Sequence, residues 1–145
     1  MENNSNYYQE RRKHVRVNIN ISMNLVVFDT EASGVLTLKD LVSLRKGVMR
    51  DISLTGACID TNDLEERWVR FLKLGTIQIA LKFKLPNEEK DINASAKVMW
   101  IKRSSASYYK HTLGVQFVDM DENERMQIMQ YIIEHKTKAQ QEDHP

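Results

Sequence analysis

Apolar and polar side chains begin to alternate at Val17. Val17, Ile19, Ile21, Met23 and Leu25 share one side of an extended chain, and Asn18, Asn20, Ser22 and Asn24 share the other. A period of two describes a strand with one buried and one wet face. The pattern recurs in Ile77, Ile79, Leu81, Phe83 and Leu85, in Ile92, Ala94, Ala96, Val98 and Trp100, and in Leu113, Val115 and Phe117. Shorter strands are predicted over residues 47–53 and 56–61. Six strands without a strand–helix–strand rhythm predict a mainly β, antiparallel barrel or sandwich.

Two segments break this period. Residues 63–74 put Leu64, Trp68, Phe71 and Leu72 on one helical face, and Gly75 can stop the helix. A second helix begins at Asp121, where Asp121 and Glu124 form a capping-box-like start. Met126, Met129, Ile132 and Ile133 supply its apolar stripe, suited to covering the core or, because Met adapts to irregular neighbours, to meeting a partner. Residues 29–46 fit two readings equally: a short helix capped by Thr37 and carrying Leu38, Leu41 and Val42, or an extended connection. Residues 1–9 and 136–145 read as flexible tails around one domain at 10–135.

Composition narrows the function classes. The 145 residues suffice for one domain with a real core. A net charge of +1 gives no global basic field, so any anion must be held by local clusters of Arg and Lys. The N-terminal residues lack a signal-peptide run, and no stretch approaches the roughly 20 apolar residues that span a bilayer. Cys58 is the only cysteine, so no intrachain disulfide forms; the expected location is the cytoplasm, and the expected role of Cys58 is a small buried strand residue.

Catalytic patterns are missing. His14, His111, His135 and His144 are scattered without metal-ligand spacing, and the five glycines build no phosphate loop. Ser53 and Ser104 lack a nucleophile context, and Glu65-Glu66 and Glu88-Glu89 are sequence neighbours that point apart. Neither an enzyme nor a bound metal or cofactor is expected.

Two short patterns remain. Arg12 and Arg16, preceded by Arg11, form RxxxR where the N-terminal tail meets the first strand. A guanidinium forks onto phosphate oxygens and, in the same geometry, onto the O6/N7 edge of guanine, and it stacks on purine faces. Taken alone, the run fits a solvated charge cluster or a nonspecific nucleic-acid patch as well. Asp51, Ser53 and Gly56 form DxSxxG at a turn between two predicted strands. An exposed Asp can accept from the N1–H and N2–H₂ donors of guanine, Ser53 can donate to a phosphate or base, and Gly56 allows a positive φ. An ordinary polar turn favours the same residues.

In this order on an all-β chain, the two motifs resemble the PilZ domain family. The likeness extends through Val98-x-Trp100, the Gly114-Val115-Gln116-Phe117 strand and the closing helix at 125–133. The resemblance implies a six-stranded antiparallel barrel with a C-terminal helix and a bacterial second messenger, cyclic di-GMP, as ligand. By position, Arg12 and Arg16 then contact phosphates and guanine edges, Asp51 and Ser53 hold a guanine, and Gly56 shapes the turn. Arg11 adds a phosphate or stacking contact that favours two stacked ligand molecules. The long segment 29–46 departs from the family pattern.

The implied mechanism is a receptor whose N-terminal arm orders over the ligand and presents a surface to an unidentified downstream protein. The alternative is a PilZ-like protein-interaction scaffold that does not bind the dinucleotide. A barrel that binds single-stranded nucleic acid is disfavoured, because Phe83, Trp100 and Phe117 fall on the inward alternation. That leaves Tyr7, Tyr8, Tyr108 and Tyr109 as exposed stacking candidates.

Overall fold

The computed structural model describes residues 15–30, 34–104 and 108–142, with 137–142 as backbone only. The alternating segments become β1 (Val17–Asp29), β2 (Arg45–Ile52), β3 (Gly56–Thr61), β4 (Ile77–Phe83), β5 (Ile92–Arg103) and β6 (His111–Met120). They close into an antiparallel barrel in the order β1-β2-β3-β6-β5-β4, which settles the choice between barrel and sandwich. Closure pairs the two outer strands of the sheet, β1 against β4, over residues 23–29 of β1. The inward rows, among them Leu25, Met49, Ile59, Ile79, Ile92 and Leu113, form one continuous core.

The open segment contains a short helix, α1 (Leu38–Val42), with Thr37 as N-cap in a reciprocal capping box with Asp40. Polar contacts hold it. Asp40 is buried, and its carboxylate accepts from Thr37 N–H and from the Arg67 guanidinium at 2.8 Å. The Thr37 backbone bond, followed by the Thr37 hydroxyl and Arg67, keeps the Asp40 carboxyl below its ordinary value against the opposing effect of burial. Leu38 and Val42 face solvent, and only Leu41 of its apolar residues packs, partly buried, against the core.

Helix α2 (Glu66–Leu74) starts three residues later than expected and has Glu65 as N-cap without a side-chain cap. Leu64, Trp68 and Leu72 are buried and Phe71 is half-buried, as their shared face requires. Gly75 ends the helix at φ +80°, where a Cβ is disfavoured.

Helix α3 (Glu122–Glu142) corrects the sequence reading in three ways. The buried face is Ile128, Tyr131 and Ile132, while Met126, Met129 and Ile133 are exposed. Those residues therefore do not form one stripe: Ile132 turns inward and the other three turn outward. Asp121 does cap the helix by accepting from Asn123 N–H at 3.1 Å. Glu124, however, reaches across to the backbone N–H of Asn93 on β5 and so completes no capping box. The helix also continues past His135, where a frayed tail was expected to begin. The expected N-terminal tail, residues 1–9, lies outside the described residues.

Candidate functional site

The end of the RxxxR motif and the start of DxSxxG meet on the outside of the barrel. Arg16 immediately precedes β1, and Asp51 stands near the end of β2. Antiparallel pairing aligns Val17 with Ile52 and Asn18 with Asp51, which brings the two side chains to one level. Arg16 Nη1 lies 3.3 Å from Asp51 Oδ1, with the arginine half-exposed and the aspartate less so. Arg11 and Arg12 lie outside the described residues.

Ser53 and Gly56 build the β2–β3 turn. The Ser53 hydroxyl accepts from the backbone N–H of Thr55 at 3.2 Å and of Gly56 at 3.1 Å, and it donates to the Gly56 carbonyl at 3.3 Å. Ser53 is buried, so the hydroxyl serves the turn first. Gly56 does not have the positive φ that the sequence suggested; among the described glycines only Gly34 and Gly75 do. Space explains the residue instead: a Cβ on Gly56 would stand 2.1 Å from the carbonyl oxygen of Val115 on β6. Thr55 carbonyl accepts from Phe117 N–H at 2.8 Å, which locks the turn against the same strand.

A row of outward-facing residues runs away from Asp51 across the ladder. Asp51 pairs with Cys58, Cys58 with Gly114, and Gly114 with Trp100. The alternation placed Trp100 inside the barrel; this is corrected. Val98 pairs with Val115 and Trp100 with Gly114, so β5 carries one residue too many and bulges at Met99. Beyond the bulge the facing reverses: Val98 is 2% exposed and Trp100 38%. The indole lies over Gly114, where a Cβ would meet its Cε2 and Nε1 at 2.1 Å. Phe83 and Phe117 stay buried as expected.

Cations border this row. Lys102 Nζ stands 5.5 Å from the Trp100 ring centroid. Arg50 Nη1 lies 3.4 Å from Asp60 Oδ2, and the same carboxylate accepts from the Thr112 hydroxyl at 2.6 Å. Cys58 is half-buried rather than buried. Burial, then the negative charges of Asp51 and Asp60, push its thiol above the ordinary value, which opposes the nucleophilic thiolate. Among the described residues no group of three His, Cys, Asp or Glu is placed to hold a metal ion, and no helix is long and apolar enough to cross a membrane.

A groove of about 490 Å³ on another face, lined in part by Asn24, Lys82, Asp119 and Glu124, shares no residue with the row. Its mixed charges and lack of an aromatic platform make it the poorer place for a planar anion. What the row offers is a base platform at Trp100, an acceptor at Asp51 and a guanidinium at Arg16. Sequence reasoning missed the platform. The available signal was Gly114, since a glycine inside a strand often marks the close approach of another group.

Residues 10–134 match the model of the PilZ domain. Among solved structures, the Bacillus subtilis inhibitor of motility MotI/DgrA superposes with a TM-score of 0.60 at 13% identity, covering 88% of this chain and 52% of that one. YcgR from Escherichia coli in complex with c-di-GMP gives 0.55 at 16% identity, covering 91% and 49%. The PilZ domain of YcgR with c-di-GMP also gives 0.55, at 15% identity, covering 91% of this chain and 96% of that domain. The chain thus spans about half the length of the longer relatives. No curated protein matches.

Proposed function

Because the chain belongs to the PilZ domain family, a family of cyclic di-GMP receptors, we propose that it binds cyclic di-GMP on the outer face of its barrel and releases it unchanged. The observation that carries this reading is the contact of Arg16 with Asp51, which joins the two sequence motifs at one place. In the free chain each satisfies the other. The dinucleotide offers a phosphate to Arg16 and the N1–H and N2–H₂ donors of guanine to Asp51, so both exchange one partner for a better matched one. The exchange costs little, since an exposed ion pair contributes about 1 kcal/mol or less.

Trp100 then gives a guanine its stacking face, and Lys102 and Arg50 add positive potential nearby. Arg12 closes on phosphate and guanine edges from the chain segment before β1, and Arg11 supplies a further contact that favours two stacked ligand molecules. Ser53 and Gly56 act by holding the turn that carries Asp51; direct donation by Ser53 requires its hydroxyl to leave the Gly56 carbonyl. The binding unit is residues 10–135, and the protein works in the cytoplasm.

The signal is the ordering of the N-terminal arm, read by a downstream protein. Ligand shifts this equilibrium only through contacts that differ between the two states, and the arginines before β1 supply them. A calorimetric titration with cyclic di-GMP tests the reading. Saturable binding with Asp51→Ala and Arg16→Ala each weakened tenfold or more supports it. A folded protein that produces no heat and shows no change in Trp100 fluorescence with the dinucleotide favours the scaffold alternative.

A further inference from the structure

We propose that the outward face of α3 is a self-association surface on which a second copy of this chain packs antiparallel. Met126, Met129 and Ile133 are 54%, 43% and 56% exposed. A helix that had only to cover the barrel would turn polar side chains outward at these positions. The inner face, with Ile128, Tyr131 and Ile132, already serves that purpose.

The residues that end the apolar stripe identify the occupant. Glu122, Met126, Met129, Ile133 and Lys136 follow one another at steps of four, three, four and three residues, so all five share one side of the helix. Both terminal residues are exposed. The stripe therefore reads acid, three apolar residues, base, over about 21 Å of helix axis. Turned end for end about a two-fold axis at Met129, it is its own complement: Glu122 of one copy meets Lys136 of the other, and Met126 comes within one residue, about 1.5 Å along the axis, of Ile133. An isologous interface needs this self-matching. A parallel pairing would set glutamate against glutamate and lysine against lysine. Glu134 sits off the stripe, bonded by Gln130 within the same helix at 3.4 Å.

Three apolar residues per copy over one helix length make a contact at or below the lower end of stable interfaces, so the dimer is weak and concentration-dependent. Association of this kind requires no ligand.

Sedimentation equilibrium from about 1 µM to about 1 mM should show the mass rising from one chain toward two. Glu122→Lys or Lys136→Glu alone should weaken association about tenfold, and the two together should restore it. In a Cys58→Ser background, a mixture of Glu122→Cys and Lys136→Cys chains should form a disulfide that joins one chain of each kind. Glu122 and Lys136 are both exposed, and unchanged thermal unfolding of each variant shows that the fold is kept. A chain that stays monomeric throughout, a double reversal that fails to restore association, or disulfides only between chains of the same kind would overturn the proposal.

Discussion

The indole of Trp100 occupies the space that a side chain at residue 114 would need, with Gly114 one strand away on β6. Two local facts create this arrangement: the bulge at Met99 turns Trp100 outward, and the missing Cβ lets the ring lie against the sheet. Gly114→Ala should therefore lift the indole off the barrel. Its fluorescence should shift to the red, and cyclic di-GMP affinity should fall, because a stacked base contributes about 1–3 kcal/mol, or roughly five- to a hundredfold in Kd. Trp100→Ala should produce the same loss of affinity. Affinity unchanged in both variants would remove Trp100 from the site.

Gly56 separates a steric requirement from a conformational one. Its φ is ordinary, but the Val115 carbonyl leaves no room for a methyl group. Gly56→Ala should force β3 away from β6 at an overpacking cost of about 1–3 kcal/mol, lowering Tm by roughly 3–10 °C. Ligand affinity should fall as well, because the same turn carries Asp51. Differential scanning calorimetry that finds Tm unchanged would contradict the close approach.

How far the sequence could lead is clear from particular residues. Strands were legible because one face of each is buried, so Val17 to Leu25 and Ile77 to Phe83 keep a strict period of two. Barrel closure was not, since a sandwich imposes the same alternation. Nor was the bulge at Met99, which adds one residue without changing composition and so reversed the expected facing of Trp100. On α3 a stripe through Met126 and Ile132 fails because six residues leave their side chains about 120° apart around the helix, one facing the barrel and the other solvent. Asp51 and Arg16 were legible as motif members, while their contact depends on the β1–β2 register, which no local pattern encodes.

Removing Arg16 and removing Asp51 should affect stability and binding differently. Their ion pair is partly exposed, so either alanine variant should unfold within about 1 kcal/mol of the parent. Ligand affinity should instead drop about ten- to a hundredfold for each, because a charge-assisted bond to the dinucleotide contributes about 1.5–3 kcal/mol. Only the Arg16 variant should also flatten the dependence of binding on salt, since it removes a phosphate contact. Calorimetry at two ionic strengths checks this, and equal salt dependence in both variants would refute the division of roles.

Cys58 reports on the same surface without any substitution, because it stands in the ladder between Asp51 and Gly114. Burial and the neighbouring carboxylates raise its thiol in the folded chain, so the folded state disfavours the thiolate. The sign follows: this contribution to stability is full below the unfolded value, about 8.5, and is lost as pH rises through the higher folded one. Alkylation by iodoacetamide at about pH 8 should be markedly slower in the native protein than in urea. Cyclic di-GMP should slow it further, since a dinucleotide that reaches from Asp51 to Trp100 passes over the sulfur between them. Native Cys58 reacting at the unfolded rate would contradict the shielding, and alkylation that ligand leaves unchanged would move the binding face away from this row.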